Sequence, residues 1–391
     1  MKQFLSIYIL SSFLCLQPLC AQEPFAKVLG IAQALVDGSI TVNEEALTEY
    51  IKLGNLKRDD SVNIDKNCAD KFYDTMSLDD HFHLSGGGCG ANTISGIARL
   101  SNSVDDKPAF ICAVAKDVLG HFFKKEMRDT GAQIFSKPSE LAPQESTGRL
   151  FYFVDDKGQR TMAAYPGISS YINEEYIQPD FIKNYGVVFT DGYTLFMKDF
   201  IPLIKKAFNI VHANKTRTAL SLSSPHLVHN NHAVFMDLLP DVDIIFCNER
   251  EAEELTQKRD FDEVTKELCN SFYKDKIIAV TRAEKGACII NNTLIANTKP
   301  IIQVKAIEVP KIVDVTGAGD AWAAGFLYGI THELTLKQSG KLGAYCASLV
   351  IQKRGARIEK SVHYLMGLVT SSSFIKKMTK DSKSRHLANT H

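Results

Sequence analysis

The stretch IVDVTGAGDAWAAGFLYGI, Ile312 to Ile330, decides how the rest of the chain is read. It opens polar and glycine-rich, then turns into small and apolar residues at helical spacing. Gly317, Ala318 and Gly319 are small enough for a ligand to approach the backbone closely. At a helix start their N–H groups lack intrahelical partners. With the positive end of the helix dipole they form an anion pocket. Asp320 follows in the first turn, where a carboxylate can accept the proton of an attacking hydroxyl. A carboxylate there also stabilises the helix end, so the motif alone leaves both roles open.

Outward from this motif, short apolar runs alternate with helical patterns. YGVVFTDG, TALSLSS, VDIIFCNE and KIIAVTRAEKG read as buried strands. AKVLGIAQALVD reads as a buried strand and turn, and GGGCGANTISGIARL as a glycine turn entering a helix. GHFFKKEMRDTGA is a helix ending near Gly131, and another helix is expected around Lys337 to Lys353. This alternation predicts a three-layer α/β fold with a mostly parallel central sheet. Two segments break the rule. Residues 38–66 carry β-leaning pieces such as SITV and SVNI, and 147–167 reads as a hairpin around Asp-Lys-Gly. They are expected to form a small β-sheet lid over the main domain.

The 391 residues carry 45 basic and 45 acidic side chains, so no global charge points to nucleic acid. The nine cysteines form no C-x-x-C pair and several lie in apolar runs, which fits buried reduced thiols. His81 and His83 share a strand face but read as surface residues. Residues 1–24 form a leader, and 1–21 have the shape of a secretory signal too short for a membrane span. Residues 25–365 then form the main domain, and 366–391 a polar tail. A cytoplasmic location is preferred, with export left open by the leader.

The glycine turn of 317–319 has a counterpart about 225 residues earlier, at Gly87, Gly88, Cys89, Gly90, Ala91 and Asn92. D-x-T-G-A-G-D after GG-x-G-A-N, in that order, resembles the two signatures of the ribokinase-like sugar and nucleoside kinases, the PfkB family. The resemblance covers about residues 26–360. VDIIFCNEREAEEL, FTDGYTL and LSLSSPHLV resemble its adenosine-kinase-like branch. It implies phosphorylation of a hydroxymethyl group of a ribonucleoside or sugar, with ATP and Mg²⁺ as cofactors. Ribokinase or fructokinase specificity is the alternative within the family. An exported ligand-binding protein that kept the fold and lost turnover is the alternative outside it.

The same resemblance assigns residues. Asp320 would be the base, beside an anion hole at Gly317, Ala318 and Gly319. Asp37, Gly87, Gly88 and Asn92 would hold the substrate, whereas Gln33 departs from the asparagine common in the family. Thr281, Gly286, Thr316 and Gly355 would face the nucleotide, with Ala347 beside Gly355. Asn248 and Glu251 would support the metal through water, and as N-x-x-E they also read as a helix cap. In the hairpin, Phe151 or Phe153 would cover a ligand face and Arg149 would reach a phosphate. No Lys or Arg lies close to Asp37 or Gly88 in sequence, so a cationic substrate pocket is not expected. Lid strands in this family can pair between subunits, which leaves a homodimer open. No nucleic-acid or membrane partner is expected.

Overall fold

The computed structural model describes residues 27–58, 61–136, 142–155, 159–172, 174–197, 199–293 and 301–370. The leader, the hairpin tip at 156–158 and the tail from 371 onward lie outside the described residues. The strands, in order, are β1 Val28–Ile31, β2 Leu35–Thr41, β3 Ser61–Asn63, β4 His83–Gly87, β5 Ala109–Ile111, β6 Gln133–Phe135 and β7 Gly148–Val154. They continue as β8 Arg160–Tyr165, β9 Val187–Asp191, β10 Arg217–Ser221, β11 Ile244–Asn248, β12 Ile277–Thr281, β13 Ala287–Asn291 and β14 Ile301–Val304. The helices are α1 Glu44–Gly54, α2 Lys66–Met76, α3 Cys89–Leu100, α4 Val118–Thr130, α5 Pro179–Ile182, α6 Phe200–Ala213 and α7 Pro225–Asn230. They continue as α8 His232–Leu238, α9 Glu249–Thr256, α10 Phe261–Leu268, α11 Ala318–Thr331, α12 Leu336–Val350 and α13 Leu365–Thr370.

Nine strands form the central sheet in the order β14-β13-β12-β11-β10-β9-β1-β5-β6. The run from β12 to β6 is parallel, and β13 and β14 close one edge antiparallel. Strand alternation feeds two cores. In β12, Ile277 and Ala279 face one core while Ile278 and Val280 face the other. The first core packs under α3, α4, α11, α12 and α13, the second under α6 to α10. Both faces are therefore covered, which is why these strands read as continuous apolar runs. The small residues of α11 let it lie against α12: a side chain on Gly325 would strike the backbone of Gly343.

β1 lies between β5 on one side and β9 on the other, so the strand order switches beside β1. Open parallel sheets bind ligands beyond the strand carboxyl ends at such a switch. The chain from β1 to β2 crosses out of the sheet at this place. AKVLGIAQALVD is thus two strands in two sheets, not one strand and a turn. Asp37 sits inside β2 rather than in a turn after it.

The second sheet has the order β3-β8-β7-β2-β4. The expected lid segments supply four of its strands, and β4, which ends at Gly87, supplies the fifth. Residues 38–66 are not all extended, since α1 lies within them and α2 starts at their end. Both helices pack on one lid face around Phe72, Phe151 and Phe153. Each such ring contributes about 1.5–3 kcal/mol by leaving water. The same packing corrects the expected ligand contact, because Phe151 and Phe153 point into this lid core. Arg149 is buried there too, donating to Asp70 at 2.6 Å and to Ser146 at 3.0 Å rather than standing free for a phosphate. At the other end α13 packs on the first core, so the folded body continues past residue 365 to Thr370.

Candidate active site

Gly317 caps α11 with φ +75°, a left-handed conformation, and a side chain there would strike the backbone of Ala356. Only glycine accepts both demands at low cost. Gly319 differs, because nothing lies within 4 Å of where its side chain would be. The helix start is thus held from one side by the 355–357 loop and open on the other. The open side is where a phosphate would sit on the first amides, so the site fits an anionic nucleotide end.

Asp320 points from this helix start to the other glycine motif. Its Oδ2 accepts from Asn92 Nδ2 at 3.0 Å. Asn92 lies in the first turn of α3, capped by Gly88 at φ +93°. The backbone of Gly87 runs against the Asp37 carboxylate so closely that no side chain fits there. Asp37 is paired across β2 and β4 with Ser85, and the nearby Tyr152 hydroxyl draws its carboxyl down. Tyr152 lies on the opposite face of β7 from Phe151 and Phe153, so the ligand-side aromatic is one position away from either expected residue. Asp37, Gly87, Gly88, Asn92 and Asp320 therefore come together from β2, β4, α3 and α11.

Two further residues in this cluster escaped sequence reading. Asp191 ends β9 and accepts from the amides of Gly90 at 2.9 Å and Thr194 at 3.0 Å. Its position as the last residue of a strand beside the switch was the available signal. Arg357 reaches in from the loop after α12, donating from Nε to Asn92 Oδ1 at 3.0 Å. It lies against Gly86 and corrects the expectation that no cation stands near Asp37. Separation along the chain hid it.

Burial dominates the electrostatics. It pushes Asp37 up to about 7, with Arg357 pulling down and Asp320 pushing further up. It pushes Asp320 up to about 7 as well, against the Asn92 hydrogen bond and with Asp191 adding to the rise. Glu251 is also raised to about 7 by burial, against the Asn248 amide. Arg357 is lowered to about 10 by burial, with Asp37 restoring part of it. Groups near neutrality can take and release protons at working pH, which is what acid–base chemistry needs.

Asn248 and Glu251 form a full capping box at the start of α9, each bonding the other's backbone. Glu251 Oε1 also accepts from Asn248 Nδ2 at 2.6 Å. Among the described residues no group of three or more acidic, His or Cys side chains could hold a metal by itself. The donor set does not make a protein cage, and both Glu251 oxygens are bonded to Asn248, so only a hydrated ion brought by a nucleotide would fit beside it. Thr281 pairs beside Asn248 at the ends of β12 and β11. Gly286 turns back at φ +87° between β12 and β13. Thr316 and Gly355 are joined through Asp314, which accepts from the Thr316 amide at 2.9 Å and the Gly355 amide at 3.3 Å. Arg160 of the lid bonds both Thr316 and Asp314, tying the lid to the anion loop. His81 is exposed and bonded to Asp79 at 3.0 Å.

An open helix start, an adjacent half-buried carboxylate and a β lid bonded to the same loop are the parts of an alcohol phosphotransferase of the α/β class. The chain belongs to the pfkB family of carbohydrate kinases, whose family model matches residues 59–362. It is similar to adenosine kinase 2 of Arabidopsis thaliana, 24% identical over 84% of this chain and 94% of that protein. It is also similar to ribokinase of Haemophilus influenzae, 24% identical over 71% of this chain and 84% of that protein. The solved adenosine kinase of Sinorhizobium meliloti superposes with a TM-score of 0.74, 30% identity and coverage of 88% and 98% of the two chains. The chain is accordingly a nucleoside or sugar kinase, and kinases of this family use ATP. Among the described residues no helix is long and apolar enough to cross a membrane.

Proposed function

We propose that the chain transfers the terminal phosphoryl group of ATP to a hydroxymethyl group of a ribonucleoside, with adenosine as preferred acceptor. The observation that carries this reading is the 3.0 Å bond between Asn92 and Asp320, which joins the two glycine turns into one site. Asp37 accepts from vicinal hydroxyls, while Gly87, Gly88 and Asn92 present backbone and amide to the acceptor. Asp320 takes the proton of the attacking hydroxyl. The amides of Gly317, Ala318 and Gly319 receive the charge that builds on the moving phosphoryl group. Thr281, Gly286, Thr316 and Gly355 line the nucleotide side. Asn248 and Glu251 orient the water of a Mg²⁺ ion, which supplies neutralising charge at the phosphates when bound. The lid, through Arg160, excludes water so that transfer to substrate outruns hydrolysis.

The test is a coupled assay with ATP and Mg²⁺ over adenosine, other ribonucleosides, ribose and fructose. Adenosine is expected to show the highest kcat/KM, with an acid limb near pH 7 as Asp320 ionises. The ribokinase relative favours the second reading, a sugar kinase, and higher kcat/KM on ribose or fructose would establish it. Binding without turnover on every acceptor would favour a non-catalytic protein, whose export N-terminal sequencing of the mature chain would reveal.

A further inference from the structure

Arg357 buries both terminal nitrogens of its guanidinium, and among the described residues no carboxylate forms an ion pair with it. Its guanidinium stands 5.7 Å above the Phe123 ring and against Gly86. Among the described residues Nη1 and Nη2 have no hydrogen-bond partner. Nε donates to Asn92 Oδ1. Such burial is costly unless the charge does something where it stands.

The chemistry of Asn92 shows what it does. An amide has one accepting end and one donating end, while a guanidinium only donates and a carboxylate only accepts. Asn92 turns Oδ1 to Arg357 and Nδ2 to Asp320, both at 3.0 Å. A flipped amide would set N–H₂ against the guanidinium and C=O against the carboxylate, losing two charge-assisted bonds together. Arg357 therefore decides which end of Asn92 the site presents.

We infer that Arg357 is the positioning residue of the base: through Asn92 it holds the Asp320 carboxylate in one orientation. This rests on Asp320 being the base. The charged and titratable groups around the pair are Asp37 on β2, Cys89 on α3, Glu126 on α4, Asp191 at the end of β9 and Glu251 on α9. Burial and then Asp191 raise Asp320, while the Asn92 and Cys89 hydrogen bonds and the Arg357 charge draw it down.

The variants are Arg357→Met, Arg357→Lys, Asn92→Ala and the Met/Ala double. Arg357→Met should lower kcat about ten- to hundredfold with KM within about threefold, the range for a lost bond to a charged group. The acid limb of kcat should move up by about one pH unit, since an opposing charge has gone. Arg357→Lys should restore most of both. In the Asn92→Ala background Arg357→Met should cost little further in kcat. An unmoved limb with additive losses would make Arg357 a packing residue and overturn the inference. Carboxyl ¹³C NMR of Asp320, without substrate, separates this from the kinase reading. A titration midpoint raised in Arg357→Met supports the inference even if no acceptor turns over, and an unchanged midpoint refutes it. Should the Met variant not fold, Arg357→Gln, which keeps a donor and drops the charge, carries the same titration.

Discussion

Asp320 is held against its preference for water. Its carboxyl is raised from 3.8 to about 7, so the native state binds the proton more tightly than the unfolded chain does. The favourable contribution of this group is therefore complete below about pH 4 and is lost as pH rises through about 7. Asp320→Asn removes the ionisation. We predict that thermal melts will show the variant more stable than wild type at pH 8, on the order of a few kcal/mol, with the gap closing toward pH 4. The same variant is expected to lose about two to four orders of magnitude in kcat, the contribution of general-base catalysis. Activity close to wild type would remove Asp320 from the chemistry. A residue that weakens the fold at working pH while serving the reaction is a known trade-off at active sites.

At the scale of the element, the start of α11 separates holding from binding. Gly319 has open space where a side chain would go, and alanine is a better helix former than glycine. Gly319→Ala should leave the melting temperature unchanged or slightly higher, yet raise KM for ATP or abolish turnover, because the methyl occupies the phosphate position. Gly317→Ala should lower stability by about 1–2 kcal/mol from the left-handed conformation alone, before the collision with Ala356 is counted. Denaturant unfolding beside ATP titration distinguishes the two. If Gly319→Ala were silent in both, the anion would have to bind elsewhere. The capping box of α9 shows how one pair can serve two needs. Asn248 and Glu251 close the helix end, and the same buried carboxylate is coupled electrostatically to Asp320. Sequence pattern alone could not rank these roles, because both ask for the same residues at the same spacing.

For the whole molecule, the lid is a second folded layer with its own apolar core, tied to the body by Arg160. Arg160→Ala should loosen that tie, raising acceptor KM and the share of ATP hydrolysed without transfer, measured as ADP formed per phosphorylated product. An unchanged ratio would mean that Arg160 does not couple the lid to the phosphate. One lid face is covered by α1 and α2 and the other turns to the cleft. A dimer clasped through the covered face is not available, and size-exclusion with light scattering is expected to give the mass of a single chain. A dimeric mass would place the contact on another surface.

The alternating apolar runs, the glycine turns and the aspartates within them were legible in the residues, because local spacing sets strand, turn and helix start. The mostly parallel sheet was legible that way, and so was the pairing of Gly317 with Asp320 at a helix start; Gly88 and Asn92 were picked out through the resemblance of their motif. Tertiary structure decided the rest. It split Val28 to Thr41 between two sheets and turned Tyr152 rather than Phe151 or Phe153 toward Asp37. It paired Arg149 with Asp70 inside the lid and brought Arg357 to Asn92 across 265 residues. Strand parity depends on which sheet a segment joins, and a buried charge depends on neighbours distant in the chain. Neither is written in any local run of residues.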